Sequence, residues 1–286
     1  VMDTTRADYV GCFGGDVRNT PNIDRLCDSG TSFAHTYSQA PATMLSVSSY
    51  MSGRRRLNTG IDFMLWNDED FHPLSPEVTT VAEVLQGEGY RTIGLTSNPM
   101  IGHREEGFDL QFYQGFEVWE TIVDRDVRTL GPQWLDELED EKFFFYVHLM
   151  GPHHPNYRRA GFNERRGTDY PEELGHLNRQ GLFRDWNLGN VDVDDELFGY
   201  IRELYADNLW QADHHYVRLL LDQLEERGLR QNTLVVFSSD HGEALGEEME
   251  FGQRSNMDQR KRYWGHSHFT LVNETLHVPL IFSGPG

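Results

Sequence analysis

Lysine is nearly absent from this chain of 286 residues. Lys142 and Lys261 are the two lysines, the rest of the 25 basic side chains are arginines, and 46 acidic residues bring the formal net charge to −21. A nucleic-acid-binding protein would carry charge of the opposite sign, so we expect no nucleic-acid partner. This composition favours a high-salt environment, in which screening weakens the repulsion between carboxylates. An ordinary acidic protein is the less favoured alternative.

Cysteines and long apolar runs are scarce as well. With only Cys12 and Cys27, no disulfide scaffold is expected, and both can be free thiols. No apolar run reaches the roughly 18 residues of a membrane span, and the first residues lack the pattern of a signal peptide. The apolar content of 38% is enough for the core of one large soluble domain, whose location is otherwise unassigned.

Residues 234–243 carry the clearest chemical signal. Four apolar residues run into two serines, followed by Asp240, His241 and Gly242. This pattern predicts a buried parallel strand that presents Asp240 and His241 at its carboxyl end, the edge where open α/β sheets bind ligands. A carboxylate and an imidazole are suitable ligands for a divalent cation. A strand end with an N-capping aspartate is the alternative.

Other predicted strands also end in polar residues. The chain opens on the tail of a strand that ends at Asp3, residues 91–97 lead to Asn98, and the aromatic strand 143–149 leads to His153. The alternation of strands with helices predicts an α/β fold with a doubly wound, mostly parallel central sheet flanked by helices. Because parallel strands share a carboxyl edge, these side chains are expected to lie near Asp240.

The helix signals are local. Thr20 before Pro21 predicts an N-cap, and Thr80 with Glu83 predicts a capping box. Apolar spacing predicts helices at 129–138 and at 194–227, the latter as one helix or two in tandem, with His214 and His215 as ordinary helix residues. Residues 156–190 are expected to form a lid-like excursion. Residues 244–262 are expected to form a polar loop, and residues 278–282 are expected to form a final strand.

Thr43 begins a further predicted helix that ends at Gly53. The free amides at a helix start favour an anion. A hydroxyl there is either an ordinary N-cap or a nucleophile, and the local sequence favours the cap.

Seven segments together resemble the sulfatase family, within the alkaline-phosphatase-like superfamily of metal-dependent phosphate and sulfate ester hydrolases. The segments are Asp3-Thr4-Thr5-Arg6-Ala7-Asp8, Thr20-Pro21-Asn22-Ile23-Asp24-Arg25-Leu26, Ala40-Pro41 through Ser52-Gly53-Arg54, Gly89-Tyr90-Arg91-Thr92, Pro152-His153-His154-Pro155, Ser239-Asp240-His241-Gly242-Glu243 and Val278-Pro279-Leu280-Ile281. They occur in the family's order and cover nearly the whole chain. The resemblance implies one sulfatase-like catalytic domain over 1–286, truncated at both ends.

The resemblance also implies roles for individual residues. Asp3, Asp240 and His241 match ligands of one divalent cation, which would be Ca, Mg, Mn or Zn. Thr43 falls on the position of the nucleophile, which itself touches the metal. His153 matches a histidine that contacts the transferred group or the leaving oxygen. Apart from the resemblance, Asn98 is expected from its place at a strand end to bind the substrate. Either His266 or His268 is expected to be a further substrate-facing base.

Two departures from the family pattern bear on the substrate. Sulfatases carry Cys or Ser within Cys/Ser-X-Pro-Ser-Arg and oxidise it to formylglycine, whereas this chain has Thr43-Met44-Leu45-Ser46-Val47. The family's Gly-Lys-Trp-His segment is replaced by Thr96-Ser97-Asn98-Pro99. Threonine nucleophiles are familiar among the superfamily's phosphodiesterases, nucleotide pyrophosphatases and phosphoglycerol transferases.

We therefore expect a metal-dependent hydrolase or transferase of sulfate or phosphate esters, with phosphate chemistry favoured. Its substrate would be a small-molecule or a glycan- or lipid-linked anionic ester. A catalytically degenerate member that binds an anionic ligand is the alternative. A mutase with two metals ranks lower, because ligands for a second metal are not evident.

Overall fold

A computed structural model describes residues 1–61, 73–103, 111–172, 174, 182, 185–186, 190–248, 262–266 and 271–285. The strands of this part of the chain are, in order, β1 (Thr31–Ser32), β2 (Arg91–Thr96), β3 (Val118–Thr121), β4 (Phe143–His148), β5 (Val235–Ser238), β6 (Ala244–Glu248), β7 (Arg262–Gly265) and β8 (Leu280–Ser283). The helices are α1 (Pro21–Asp28), α2 (Thr43–Ser52), α3 (Val81–Gly87), α4 (Val127–Glu137), α5 (Phe162–Arg166), α6 (Asp195–Ala212), α7 (Arg218–Glu226) and α8 (Asn273–Leu276). Short 3-10 turns lie at Ala7–Tyr9, Gly11–Phe13, Arg56–Asn58, Asp124–Asp126 and Arg230–Asn232.

The strands form a parallel sheet and an antiparallel sheet joined by the first residues of the chain. β3, β2 and β4 are parallel, and β1, β8 and β5 are antiparallel. The backbone of Val1 to Asp3 lies between them, since Asp3 N donates to Leu149 O at 2.8 Å and Met2 N donates to Ser238 O at 3.0 Å. The carboxyl ends of β2, β4 and β5 therefore lie beside Asp3.

Helices cover both faces of the sheet, as a doubly wound fold requires. On β4, Tyr146 packs in a hydrophobic cluster with residues of α2, and its neighbour Val147 packs in a second cluster with residues of α1, α4, α6 and α7. Successive residues of a strand point to opposite faces, so these are the two sides of one sheet. No helix in the described ranges is both long and apolar enough to cross a bilayer.

Strand β5 differs from its prediction as a buried parallel strand. It pairs antiparallel with β8, and the side chains of Leu234 and Val236 are 57% and 46% exposed. One face of this strand is therefore open to solvent. Its carboxyl end still delivers Asp240 and His241 to the shared edge.

Most of the helix starts predicted from the local sequence are present in the structure. The capping box of Thr80 and Glu83 is present at the start of α3. Thr20 holds the N-cap position of α1, but its side chain makes no cap hydrogen bond. The amides of Asn22 and Ile23 instead donate to the carboxylate of Asp213, at 3.1 and 2.8 Å.

The helix predicted at 194–227 is present in tandem form. α6 and α7 are joined by a π-helical turn, Asp213–Val217, which contains His214 and His215. Asp213 lies at the start of this turn, which aims its carboxylate at α1.

Two further expectations, on the cysteines and on residues 244–262, need correction. Cys12 and Cys27 are joined in a disulfide, because α1 folds back beside the Gly11–Phe13 turn. β6 and β7 form an antiparallel pair where a polar loop was predicted. The excursion contains α5, which is tied to α6 by ion pairs such as that of Arg165 with Asp207.

Candidate active site

Asp3, Asp240 and His241 converge at the carboxyl edge of the sheet. Their potential ligand atoms lie within 4.8 Å of one another, and all three side chains are buried. His241 Nε2 lies 3.8 Å from Asp3 Oδ1 and 3.5 Å from Asp240 Oδ2. Residues from the chain start and from the end of β5 thus form one cluster, as their positions at strand ends predicted.

The hydrogen bonding of this cluster leaves one carboxylate oxygen of Asp3 and one of Asp240 without a partner among the described residues. Asp240 Oδ1 accepts from the amides of Thr4 and His241, at 3.2 and 2.9 Å. By contrast, Asp240 Oδ2 and Asp3 Oδ1 accept no hydrogen bond from any described residue. Buried carboxylate oxygens seldom lack a partner, so two of them facing each other point to a positive charge between them.

The hydrogen bonding of His241 also leaves one of its ring nitrogens available as a metal ligand. Its Nδ1 donates to Gly242 O at 2.9 Å, which leaves Nε2 with a lone pair directed at the carboxylates. Two carboxylate oxygens and one imidazole nitrogen suit a small divalent cation. The residues present therefore fit the cation that the family resemblance implies.

Thr43 is the first residue of α2, and it does not cap that helix. Ala42 holds the N-cap position, and no side chain caps there. Thr43 Oγ1 instead lies 3.3 Å from His241 Nε2, and the side chain is 8% exposed. The expectation of an ordinary N-cap is wrong, because the hydroxyl points into the carboxylate cluster.

Asn98 links the nucleophile candidate to the cluster. Its Nδ2 donates to Asp3 Oδ2 at 2.5 Å and to Thr43 Oγ1 at 3.2 Å. Its Oδ1 accepts from the amide of Met100 at 2.8 Å, which fixes the orientation of the amide group. Asn98 therefore positions both Asp3 and Thr43.

His148 was not predicted, yet it contacts Asp3 directly. His148 Nε2 lies 3.1 Å from Asp3 Oδ2, and both side chains are fully buried. His148 Nδ1 is 2.8 Å from the hydroxyl of Tyr146, which is 2.6 Å from that of Tyr50. The only sequence signal was its place at the end of β4.

The charge state of Asp3 follows from these contacts. Burial raises the pKa of Asp3, but the hydrogen bond with His148 and the charges of His153, His148 and His241 outweigh it. The net effect lowers the pKa, so the carboxylate is ionised.

A second group of histidines borders the cluster. The rings of His153 and His241 lie 4.8 and 4.6 Å from the ring of His266, measured between centroids. His266 Nδ1 is 3.1 Å from Oε2 of the buried Glu243, a partner that sequence reasoning missed although it ends the Asp240-His241 segment. His268, the other candidate, lies outside the described residues.

Burial lowers the pKa of both histidines, but in His266 the effect of a partner is stronger. Burial is the largest effect on His153, whose pKa is lowered. Burial also lowers the pKa of His266, but the charge and hydrogen bond of Glu243 outweigh it and raise the pKa to about 9. The site thus holds a neutral imidazole beside a protonated one at neutral pH. His153 Nδ1 donates to the carbonyl of His154, which leaves its Nε2 as the free nitrogen.

Comparison with known proteins places the chain in a family. A low-salt glycan biosynthesis sulfotransferase from Haloferax volcanii is 30% identical over 255 residues, which are 88% of this chain and 48% of that protein. The chain spans about half the length of the curated relatives it matches.

Solved structures show the same fold at low identity. A putative sulfatase from Bacteroides thetaiotaomicron has a TM-score of 0.71 at 17% identity, with 100% of this chain and 63% of that chain covered. The phosphonate monoester hydrolase of Agrobacterium radiobacter has a TM-score of 0.69 at 16% identity, with 100% and 67% covered. These neighbours confirm the predicted α/β, alkaline-phosphatase-like fold. Since the family model described as Sulfatase matches residues 1–286, this chain belongs to the sulfatase family.

Proposed function

We propose that this protein cleaves or transfers sulfate or phosphate esters with the help of one divalent cation, using Thr43 as the nucleophile. The observation that carries the proposal is the position of Thr43 Oγ1, at the start of α2 and 3.3 Å from His241 Nε2. A hydroxyl with only a capping role would instead accept from the free amides of the helix start.

The cation would be held by Asp3, Asp240 and His241, with Thr43 beside them. Bound there, it supplies Lewis acidity that lowers the pKa of a neighbouring hydroxyl and offsets negative charge on the ester oxygens. The two carboxylate oxygens without partners support this assignment.

Thr43 Oγ1, after its proton has passed to solvent, forms the new bond to phosphorus or sulfur as the bond to the leaving oxygen breaks. Asn98 Nδ2 orients the hydroxyl, and the unpaired amides at the start of α2 offer donors to the equatorial oxygens. The product of this step is a threonine ester, which water or another alcohol then releases.

His153 passes a proton to the leaving oxygen, and His266 or His268 supplies that proton, because Nε2 of His153 is itself unprotonated at neutral pH. Glu243 holds His266 by its Nδ1 and thereby directs the other ring nitrogen away from itself. The neighbouring rings of His153 and His266 support a shared role in this proton transfer.

Phosphorus esters are favoured over the sulfate esters of formylglycine enzymes. Thr43 is a secondary alcohol, so its oxidation would give a ketone and not the aldehyde of formylglycine. The fold neighbour that acts on phosphonate monoesters is consistent with this preference. Transfer to an acceptor alcohol is the second candidate, favoured by the relative named as a glycan biosynthesis sulfotransferase.

The test is a comparison of Thr43→Ala with the wild type on an aryl sulfate, a phosphate monoester and a phosphodiester. We expect Thr43→Ala to abolish turnover while the metal content stays unchanged, and Thr43→Ser to retain turnover. Activity of Thr43→Ala on any of these esters would show that the nucleophile is another group. A wild-type protein that binds the cation and an anionic ligand but turns over no ester would support the degenerate alternative.

A further inference from the structure

A cluster of positive charge lies on the surface beside the loop that carries His153. Its members come from α4, α5 and the α6–α7 segment, and we call it the cationic patch: Arg128, Arg165, Trp210, His214, His215 and Arg218. In a chain with a formal net charge of −21, such a concentration of basic side chains needs an explanation.

Aromatic rings hold the patch together. The rings of Trp210 and His214 are stacked, with centroids 4.6 Å apart and planes 10° apart. The Arg165 guanidinium lies over Trp210 at 5.0 Å, and that of Arg128 lies over Tyr216 at 5.6 Å. The patch therefore combines flat ring faces with cationic groups at defined positions.

The positive charge of the patch is only partly neutralised. Arg165 makes a bidentate pair with Asp207, at 2.7 and 2.9 Å. Arg128 and Arg218 are exposed, and within the described ranges neither makes an ion pair with a carboxylate. Two guanidinium groups are thus available to an incoming anion.

The groups around His215 also show an excess of positive charge. Burial, followed by the positive charges of Arg128, His214, Arg218 and Arg165, lowers the pKa of His215. The largest charge effects on this ring come from positive groups. A ligand that brings negative charge here would relieve their mutual repulsion.

The patch is connected to the candidate active site through Asp124. The carboxylate of Asp124 accepts from the amides of Met150 and Gly151, at 2.9 and 3.0 Å, in the loop that leads to His153. Asp124 also precedes α4, which carries Arg128 in its first turn. Asp124 therefore joins the loop that leads to His153 to the helix that carries Arg128.

We propose that the cationic patch is a second anion-binding subsite, which takes a further acidic group of an oligosaccharide whose reacting ester lies at Thr43. This inference rests on the proposed function. The guanidinium forks of Arg128 and Arg218 bind sulfate, phosphate or carboxylate groups, and the Trp210 ring, between His214 and Arg165, holds the patch in shape.

A nucleic-acid strand is the less suitable occupant. Its evenly spaced phosphates would run beyond the patch onto the acidic surface, where the net charge of −21 repels them. A short acidic glycan places its few charges within the patch alone.

The test uses the double variant Arg128→Gln, Arg218→Gln and the metal-loaded protein. Arg91→Gln is the control, because Arg91 is a half-buried arginine, paired with Glu117, at the amino end of β2 on the opposite edge of the sheet. The probe is a sulfated tetrasaccharide, whose binding is measured by titration calorimetry in wild-type and Thr43→Ala backgrounds. We expect the double variant to bind about tenfold more weakly, near threefold for each exposed ionic contact, and the control to bind as the wild type does.

Turnover of a small aryl ester by the double variant should be unchanged, because such a substrate does not reach the patch. Unchanged tetrasaccharide affinity in the double variant, or no measurable binding by the wild type, would overturn the inference. The inference would also be overturned if an oligonucleotide of equal charge bound the wild type as tightly as the tetrasaccharide does and lost as much affinity in the double variant.

Failure of the catalytic proposal is distinguishable from these outcomes. If no ester is turned over but tetrasaccharide binding still depends on Arg128 and Arg218, the subsite stands without the catalytic role of Thr43.

Discussion

Replacing His148 with alanine tests how the candidate metal cluster is held. His148 Nε2 lies 3.1 Å from Asp3 Oδ2 in a fully buried environment. Without it, the Asn98 amide is the remaining side-chain donor to that oxygen among the described residues. The carboxylate of Asp3 then loses the contact that keeps Oδ1 directed at Asp240 and His241.

The expected loss of metal affinity follows from the effect of removing comparable hydrogen bonds to metal-ligating side chains. Their loss costs about 10- to 100-fold in metal affinity, which corresponds to about 1.4–2.8 kcal/mol. The hydroxyl of Tyr146 loses its partner at 2.8 Å but keeps Tyr50 at 2.6 Å, so this loss lowers the stability by about 0.5–1.5 kcal/mol. Tyr146→Phe should weaken metal binding less, because His148 keeps its contact with Asp3.

The assay is calorimetric titration of chelator-treated protein with Mg²⁺, Ca²⁺, Mn²⁺ and Zn²⁺. His148→Gln is the rescue variant, since its amide can donate to Asp3, and it should recover most of the affinity. Thr80→Ala is the stability control, since it removes the capping box of α3 and costs about 1 kcal/mol far from the cluster. A folded His148→Ala protein with wild-type metal affinity would refute this reasoning.

Three further predictions concern stability. Cys12→Ser should lower the free energy of unfolding in urea by about 3 kcal/mol, since the disulfide spans a separation of 15 residues; two titratable thiols in the native protein would contradict the pairing. Raising KCl from about 0.1 to about 2 M should raise the melting temperature, because screening reduces the repulsion within a chain of net charge −21. An equal rise in melting temperature with an uncharged osmolyte would argue against this cause. Burial outweighs the hydrogen bonds of Asn22 and Ile23 and raises the pKa of Asp213 from 3.8 to about 6. The folded protein then holds this proton more tightly than the unfolded chain, so the associated stability is present below pH 3.8 and is lost as the pH rises through about 6, by up to about 3 kcal/mol. Asp213→Asn should flatten this slope in urea unfolding between pH 4 and pH 7, and an unchanged slope would assign it to another group.

Much of the candidate site could be predicted because its residues follow strands. Asp3, Asn98 and Asp240 each come directly after an apolar or alternating segment, and parallel strands bring such positions to one edge. His153 likewise follows the strand 143–149, and the family resemblance added the role of Thr43 as the nucleophile, which its place at a helix start does not indicate. The roles of these residues stay predictions, since the geometry places them together without an ester or a cation.

The partners of the site residues could not be predicted. His148 contacts Asp3 across 145 positions of sequence, and Asp213 caps α1 across 190 positions. The same holds for the disulfide, which requires α1 to fold back on the preceding turn. Glu243 and His266 meet through the β6–β7 pair, in a region whose polar sequence predicted a loop.

The sequence by itself therefore determined the local elements and the order of the strand-end residues, because helix starts, capping boxes and apolar periodicity depend on residues within a few positions of one another. Tertiary structure alone decided that Thr43 faces His241 and does not cap α2. It also decided which oxygens of Asp3 and Asp240 are left without a partner. Those outcomes depend on distances of a few ångströms between segments far apart in the chain, which only the packing of helices on both faces of the sheet sets.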